Sequence, residues 1–187
     1  MAITRNVAVL VGSLRKGSYN RLAAQALASL APEGLHLEII EIRDLPLYDE
    51  DADSQNAPPA AWTAFRDKIK LADAVLFVTP EYNRSVPGVL KNAIDVGSRP
   101  YGQSVWARKP AAIMSVSPGA IGGFGANHHL RQSLVFLDMP ILQQPEAYIG
   151  HAATLFAEDG KLSNDGTKAF FKSFIDAFAT LIERAIG

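Results

Sequence analysis

The sequence contains no cysteine, which excludes disulfides, thiolate metal sites and cysteine nucleophiles. Neither sign of charge is in excess, with 18 Lys and Arg against 19 Asp and Glu and a net charge of -1. No face-sized basic surplus is there to hold nucleic acid or an anionic membrane. No apolar run approaches the roughly 20 residues needed to span a bilayer. The start, MAITRNVAVLVGS, goes straight into a strand pattern with no signal-peptide core or cleavage site, so a cytoplasmic protein is expected. Repeats, low-complexity tracts and an interdomain linker are missing too. What remains is an ordinary globular composition, 48% hydrophobic and 20% charged over 187 residues, and a single domain over 1–187 is expected.

The stretch around which the chain is organised is Val7–Asn20, VAVLVGSLRKGSYN. A short apolar run stops at Gly12, a loop of Gly, Ser and Arg follows, and Arg21–Leu30 are helix formers. Strand, small polar loop and helix put backbone N–H groups and a positive helix end around an anion. Arg15, Lys16 and Arg21 supply charge there, and Ser13, Ser18 and Asn20 supply short donors. The same residues also fit an ordinary strand-to-helix turn capped by Ser18.

Further along, Leu35–Ile42 alternates as a second strand, and Ala74–Thr79 and Pro110–Val116 are apolar runs suited to strands buried on both faces. A short fifth strand is expected near Pro140–Leu142, with Tyr148 and Ile149 in irregular chain. Helices are expected over Ala60–Leu71, Pro87–Val96, Ala126–Phe136 and Asp165 to the end. In the last, Phe170, Phe174, Phe178, Leu181 and Ile182 trace an apolar stripe widened by Phe171 and Ile175. Arg43–Pro59 is acidic and without period, and reads as a solvated loop whose aspartates lack metal-ligand spacing. Alternating strands and helices predict an open, parallel, doubly wound α/β sheet.

Three unusual loops follow the first, third and fourth strands, so all leave the carboxyl edge of such a sheet. In the order 2-1-3-4-5 the first and third strands are neighbours at the switch point, where ligands bind. The loop after strand one would hold a phosphate, Pro80–Ser85 would lie across the crevice, and the glycines of Ser117–Gly125 would wall its far side. Two common phosphate motifs fail: Gly12–Gly17 has GxxxxG spacing but Ser18 stands where a triphosphate loop needs lysine, and no GxGxxG follows the first strand. Adjacent His128 and His129 on a helix do not face one another, so they read as surface or site rim rather than a metal pair. A mononucleotide site results, with no metal expected.

Gly12-Ser13-Leu14-Arg15 through Ser18 and Asn20, then Pro80-Glu81-Tyr82-Asn83 and Ser85-Val86-Pro87-Gly88 with Leu90-Lys91-Asn92-Ala93 and Asp95, resembles the NADPH-dependent FMN reductase family. The resemblance covers nearly the whole chain and implies a flavodoxin-like fold with bound FMN and NADPH or NADH as donor. It implies that Ser13, Arg15, Ser18, Tyr19 and Asn20 lie at the FMN phosphate. It also implies that Pro80, Glu81, Tyr82 and Asn83 run along the isoalloxazine ring, and that Ser117 and Gly119 lie near the ribityl chain or ring edge. Where many relatives carry Trp after the Asp, this chain has Asp95-Val96-Gly97-Ser98-Arg99, and Arg99 is a candidate for the NADPH phosphate.

That resemblance further implies ping-pong transfer from NAD(P)H to quinones or similar small acceptors, without a side-chain acid or base, in a homodimer or homotetramer. The Val86–Val96 helix and the loop around Tyr101 and Trp106 are the interface candidates. Two rivals remain. An electron-carrier flavodoxin would normally be strongly acidic, unlike this chain. A flavin-free nucleoside-processing enzyme would need a catalytic carboxylate, for which Glu81 is the acid best placed at the strand edges.

Overall fold

The computed structural model describes residues 4–54 and 57–187. Positions 1–3, and positions 55 and 56 of the acidic stretch, lie outside the described residues. The apolar runs become strands β1 (Arg5–Val11), β3 (Ala74–Thr79) and β4 (Ala111–Val116), and every residue of β3 and β4 is buried. A strand covered on both faces has no polar side to present, hence no alternation. With β2 (Leu35–Ile39) and β5 (Ala147–Ile149) they form one five-stranded parallel sheet of order β2-β1-β3-β4-β5. Val11 lies opposite Val78, and Thr79 opposite Ser115. Three strands therefore end at nearly one level, and the loops that follow them leave side by side.

The described residues form six α-helices: α1 (Tyr19–Leu30), α2 (Glu50–Ser54), α3 (Ala60–Leu71), α4 (Gly88–Gly97), α5 (Phe124–Phe136) and α6 (Asp165–Ile186). α1 and α6 pack on one face, while α3, α4 and α5 pack on the other. In α6 the fully buried positions are Phe171, Phe174, Ile175, Phe178 and Ile182, with Phe170 and Leu181 on the flanks. The expected stripe is thus rotated slightly toward Phe171 and Ile175. Each such side chain removed from water contributes about 1.5–3 kcal/mol.

The fifth strand differs from expectation. It is Ala147–Ile149, paired with Met114–Val116, whereas Pro140–Leu142 makes only one bridge, Ile141 beside Ala111. Two residues of β4 lie between these two contacts, but five residues of the other segment do. The excess loops out through Gln143–Glu146, and the Leu142 carbonyl accepts from Arg131 Nη1 at 3.1 Å.

The acidic stretch is likewise not all solvated loop. Glu50–Ser54 forms the short helix α2, and Asp53 turns inward to Arg66 of α3, with side chains only 4% and 9% exposed. Trp106 is not an interface residue either. It is fully buried, donates Nε1–H to Ile94 O at 2.9 Å and packs against Phe65 and Phe77. Tyr101, 85% exposed, stays on the surface. No helix is long and apolar enough to cross a membrane among the described residues.

Candidate functional site

A cleft of about 250 Å³ opens over the carboxyl ends of β1, β3 and β4. Its walls are Ser13, Arg15, Ser18, Tyr19 and Asn20 from the first loop, Pro80, Glu81 and Tyr82 from the second, and Val116, Ser117 and Pro118 from the third. Three segments far apart in sequence meet because their strands are neighbours in register. Asn83 and Gly119, expected in this group, stand just outside the walls, each next to a residue that forms them.

The first loop is unusual in its polar bookkeeping. Ser18 and Asn20 are 2% and 4% exposed. Asn20 Nδ2 donates to Val116 O at 3.2 Å and so ties the start of α1 to the end of β4. Its Oδ1 and the hydroxyl of Ser18 are the two buried side-chain polar atoms without a hydrogen-bond partner among the described residues. Leaving such a group unpaired costs about 1–3 kcal/mol. Both border the cleft, and both are at the N-terminus of α1. Ser18 sits at the N-cap without a side-chain capping bond, and no acid occupies the first turn. The positive end of α1 therefore faces the cleft uncompensated.

The cations divide. Arg15 stays at the cleft, its guanidinium 5.3 Å from the Tyr19 ring centroid and one nitrogen on Gly17 O at 3.2 Å. Arg21, read from sequence as part of the anion loop, instead makes two bonds to Glu41, at 2.7 and 2.9 Å. Arg43, which carried no motif, donates to Leu14 O at 2.5 Å and fastens the loop to the chain after β2. Arg99 is not at the cleft: α4 carries the chain about 15 Å away from the site edge at roughly 1.5 Å per residue, and Arg99 lines a surface hollow with Asp53, Arg66 and Gln103.

The second loop is anchored at both its acid and its hairpin. Glu81, its side chain 10% exposed, accepts from the Ala126 N–H of α5 at 3.0 Å and from Arg84 Nη1 at 3.1 Å. Tyr82 and Ser85 exchange two backbone bonds, at 3.1 and 3.0 Å, to make a two-residue hairpin. Tyr82 is half exposed on the cleft wall. In the third loop Ser117 Oγ accepts from Gly119 N–H at 3.1 Å. The glycines beyond it do not wall the cleft. Gly122 and Gly123 have φ of 65° and 77°, and side chains there would strike Tyr148 and Ser115; they let the chain turn tightly into α5.

His128, expected at the surface or site rim, belongs to an aromatic cluster. Phe124, His128 and Tyr148 pack together, and His128 Nε2 is 2.9 Å from Tyr148 Oη, which donates to Glu146 Oε1 at 2.8 Å. Burial and that carboxylate push the Tyr148 phenol up to about 12. His129 points elsewhere, its Nδ1 2.9 Å from Ser85 Oγ. The two imidazoles thus serve different partners, and no group of three metal-ligating side chains exists among the described residues.

The sheet order and the convergence of loops at its switch point define a flavodoxin-like α/β protein. Residues 5–154 match the NADPH-dependent FMN reductase family, and the chain belongs to that family. It is 66% identical over 183 residues to a quinone reductase of Pseudomonas putida, covering 98% of this chain and 97% of that one. It is 47% identical over 176 residues to a 2-hydroxy-1,4-benzoquinone reductase of a Burkholderia species, covering 94% and 95%. Among solved structures, the flavoenzyme NAD(P)H:(acceptor) oxidoreductase FerB of Paracoccus denitrificans superposes with a TM-score of 0.90 at 42% identity, covering 97% of this chain and 99% of that one.

Proposed function

We propose that the protein transfers electrons from NAD(P)H through bound FMN to quinones or similar small acceptors. In this reading Ser13, Arg15, Ser18, Tyr19 and Asn20 hold the phosphate end of FMN. Pro80, Glu81, Tyr82 and Asn83 flank its ring, with Ser117 and Gly119 at the ribityl side. The observation that carries it is the pair of orphaned oxygens, Ser18 Oγ and Asn20 Oδ1, buried at the N-terminus of α1. With FMN bound, the Ser18 hydroxyl would donate a hydrogen bond to a phosphate oxygen, Asn20 Oδ1 would accept one from a ribityl hydroxyl, and the helix end and Arg15 would balance the charge.

When bound, FMN supplies the two-electron redox chemistry of the reaction. The chain's residues contribute by binding and orientation. Arg15 neutralises phosphate, Asn20 holds the first loop to β4, and the Tyr82 hairpin forms a fixed wall against which a flat ring can lie. Donor and acceptor use the same exposed slot in turn, which gives ping-pong kinetics. Glu81, the acid that a nucleoside-processing rival would need, has both oxygens engaged, by Ala126 and Arg84. Its role is to anchor the second loop to α5. In solution the subunits are proposed to assemble as a homodimer or homotetramer.

The test is direct. The purified protein should bind FMN stoichiometrically, and anaerobic NADPH should bleach the flavin absorbance. A protein that takes up no FMN ends this reading, and a flavin that stays oxidised under NADPH returns the electron-carrier rival.

A further inference from the structure

We propose that Arg84 reads a phosphate of the nicotinamide dinucleotide and so sets how the enzyme handles its electron donor, an inference that rests on the reductase reading above. Arg84 is the second tip residue of the Tyr82–Ser85 hairpin, and both tip residues are left-handed, Asn83 with φ 51° and Arg84 with φ 64°. Such a turn strongly favours Asn-Gly. Asn83 conforms and Arg84 does not. A long side chain kept where glycine would relax the backbone points to work done by that side chain.

The guanidinium is also presented rather than buried. The Arg84 side chain is 74% exposed, and a bond from Nη1 to the Glu81 carboxylate holds it at 3.1 Å. Glu81 itself lines the cleft. That bond fixes the direction of the side chain and leaves Nε and Nη2 without a partner among the described residues. The carboxylate opposes an incoming anion weakly, because its other oxygen caps α5 through Ala126. The Arg84 carbonyl packs on Gly125 in the first turn of the same helix, so the tip is braced from beneath.

Competing cations are committed elsewhere. Arg21 pairs with Glu41, Arg43 holds Leu14 O, Arg15 lies over Tyr19 on the phosphate side, and Arg99 lines a separate hollow with Asp53 and Arg66. Lys16 belongs to the first loop. A dinucleotide whose nicotinamide lies over a ring flanked by Tyr82 must carry its phosphates out past the rim of the cleft, and Arg84 stands on that rim. A guanidinium fork suits two phosphate oxygens better than a point charge does.

The experiment uses FMN-loaded protein with Arg84→Gly, which relaxes the backbone, and Arg84→Lys, which keeps the charge. kcat/KM is measured with NADPH and with NADH, and binding of adenosine 2′,5′-bisphosphate and of ADP is followed by calorimetry. Arg84→Gly should lower kcat/KM and weaken nucleotide binding about tenfold, the size of one lost charged hydrogen bond, at an unchanged or higher melting temperature. Arg84→Lys should recover part of the loss. A loss confined to NADPH and the bisphosphate identifies the 2′-phosphate, and an equal loss with NADH and ADP identifies the pyrophosphate; either supports the proposal. A holoenzyme whose rates and binding are the same in Arg84→Gly overturns it alone. Wild-type protein that binds no FMN overturns the reductase reading and this inference together.

Discussion

Asn20 on α1 donates to the carbonyl of Val116 on β4 at 3.2 Å, 96 positions further along the chain. This bond holds the first and third loops of the cleft together and leaves the amide oxygen buried and unpaired. Neighbouring Ser18 has the same unpaired state. Both atoms raise the energy of the ligand-free protein, which leads to a pair of opposite expectations.

Ser18→Ala removes one orphaned hydroxyl. The ligand-free protein should be no less stable, and up to about 1 kcal/mol more so, because nothing is lost but an unpaired buried group. FMN affinity should fall about tenfold, the worth of one hydrogen bond to a charged acceptor. Urea unfolding of the ligand-free form and a fluorescence titration with FMN measure the two sides. A drop in both would mean that Ser18 is a structural cap.

Arg66 and Asp53 form a fork of two bonds, 2.9 and 2.7 Å, and Arg66 Nε also reaches Val96 O at 2.9 Å. Removing the carboxylate leaves a buried guanidinium uncompensated. Asp53→Ala should destabilise by about 3–5 kcal/mol, while replacing both partners with apolar residues should recover most of that. Chemical denaturation of the single and double variants decides it; an Asp53→Ala loss below 1 kcal/mol would show that water replaces the pair.

Gly97 ends α4 directly under Trp106. A Cβ there would come within 2.4 Å of Trp106 Cζ2. Gly97→Ala must displace the indole or the helix end, with an expected loss of about 1–3 kcal/mol. Loss of the Ile94 contact should also shift tryptophan emission. An unchanged spectrum and melting temperature would contradict the packing.

Tyr148 gives the pH dependence. Its phenol is raised from 10.0 to about 12, chiefly by burial and then by Glu146. A folded pKa above the unfolded one means that the stabilisation is complete below pH 10 and is lost as pH rises through 12. Absorbance titration at high pH should show a late-ionising tyrosine that disappears in Tyr148→Phe, and the variant should lose less stability over that window. A titration identical in both proteins would count against the assignment.

Much of the fold was legible because it is local. β1, β3 and β4 announce themselves as apolar runs, Gly and Pro punctuate the helices, and the loops after three strands carry the polar residues that a carboxyl-edge site needs. Ser13, Arg15, Ser18, Tyr19, Asn20, Pro80, Glu81, Tyr82 and Ser117 all fall on the cleft wall for that reason. The misreadings are each non-local. β5 was displaced from 140–142 to 147–149 because strand position on an edge depends on how much chain the neighbour leaves to loop out. Trp106 looked like an exposed aromatic until Gly97 and Ile94 supplied its socket. Arg21 leaves the anion loop for Glu41 and Arg43 fastens that loop through Leu14 O, since only the return of the chain after β2 brings Glu41 to one and Leu14 to the other.

The amino-acid order by itself therefore determined which segments are strands and helices, how they alternate, and which loop could cradle an anion, because periodicity and turn chemistry act over a few residues. Only the tertiary structure decided which polar groups are left unpaired around the cleft. Whether Ser18 Oγ or Asn20 Oδ1 is satisfied depends on what Val116, nearly a hundred residues away, brings beside it, and desolvation is a property of the packed neighbourhood rather than of the chain.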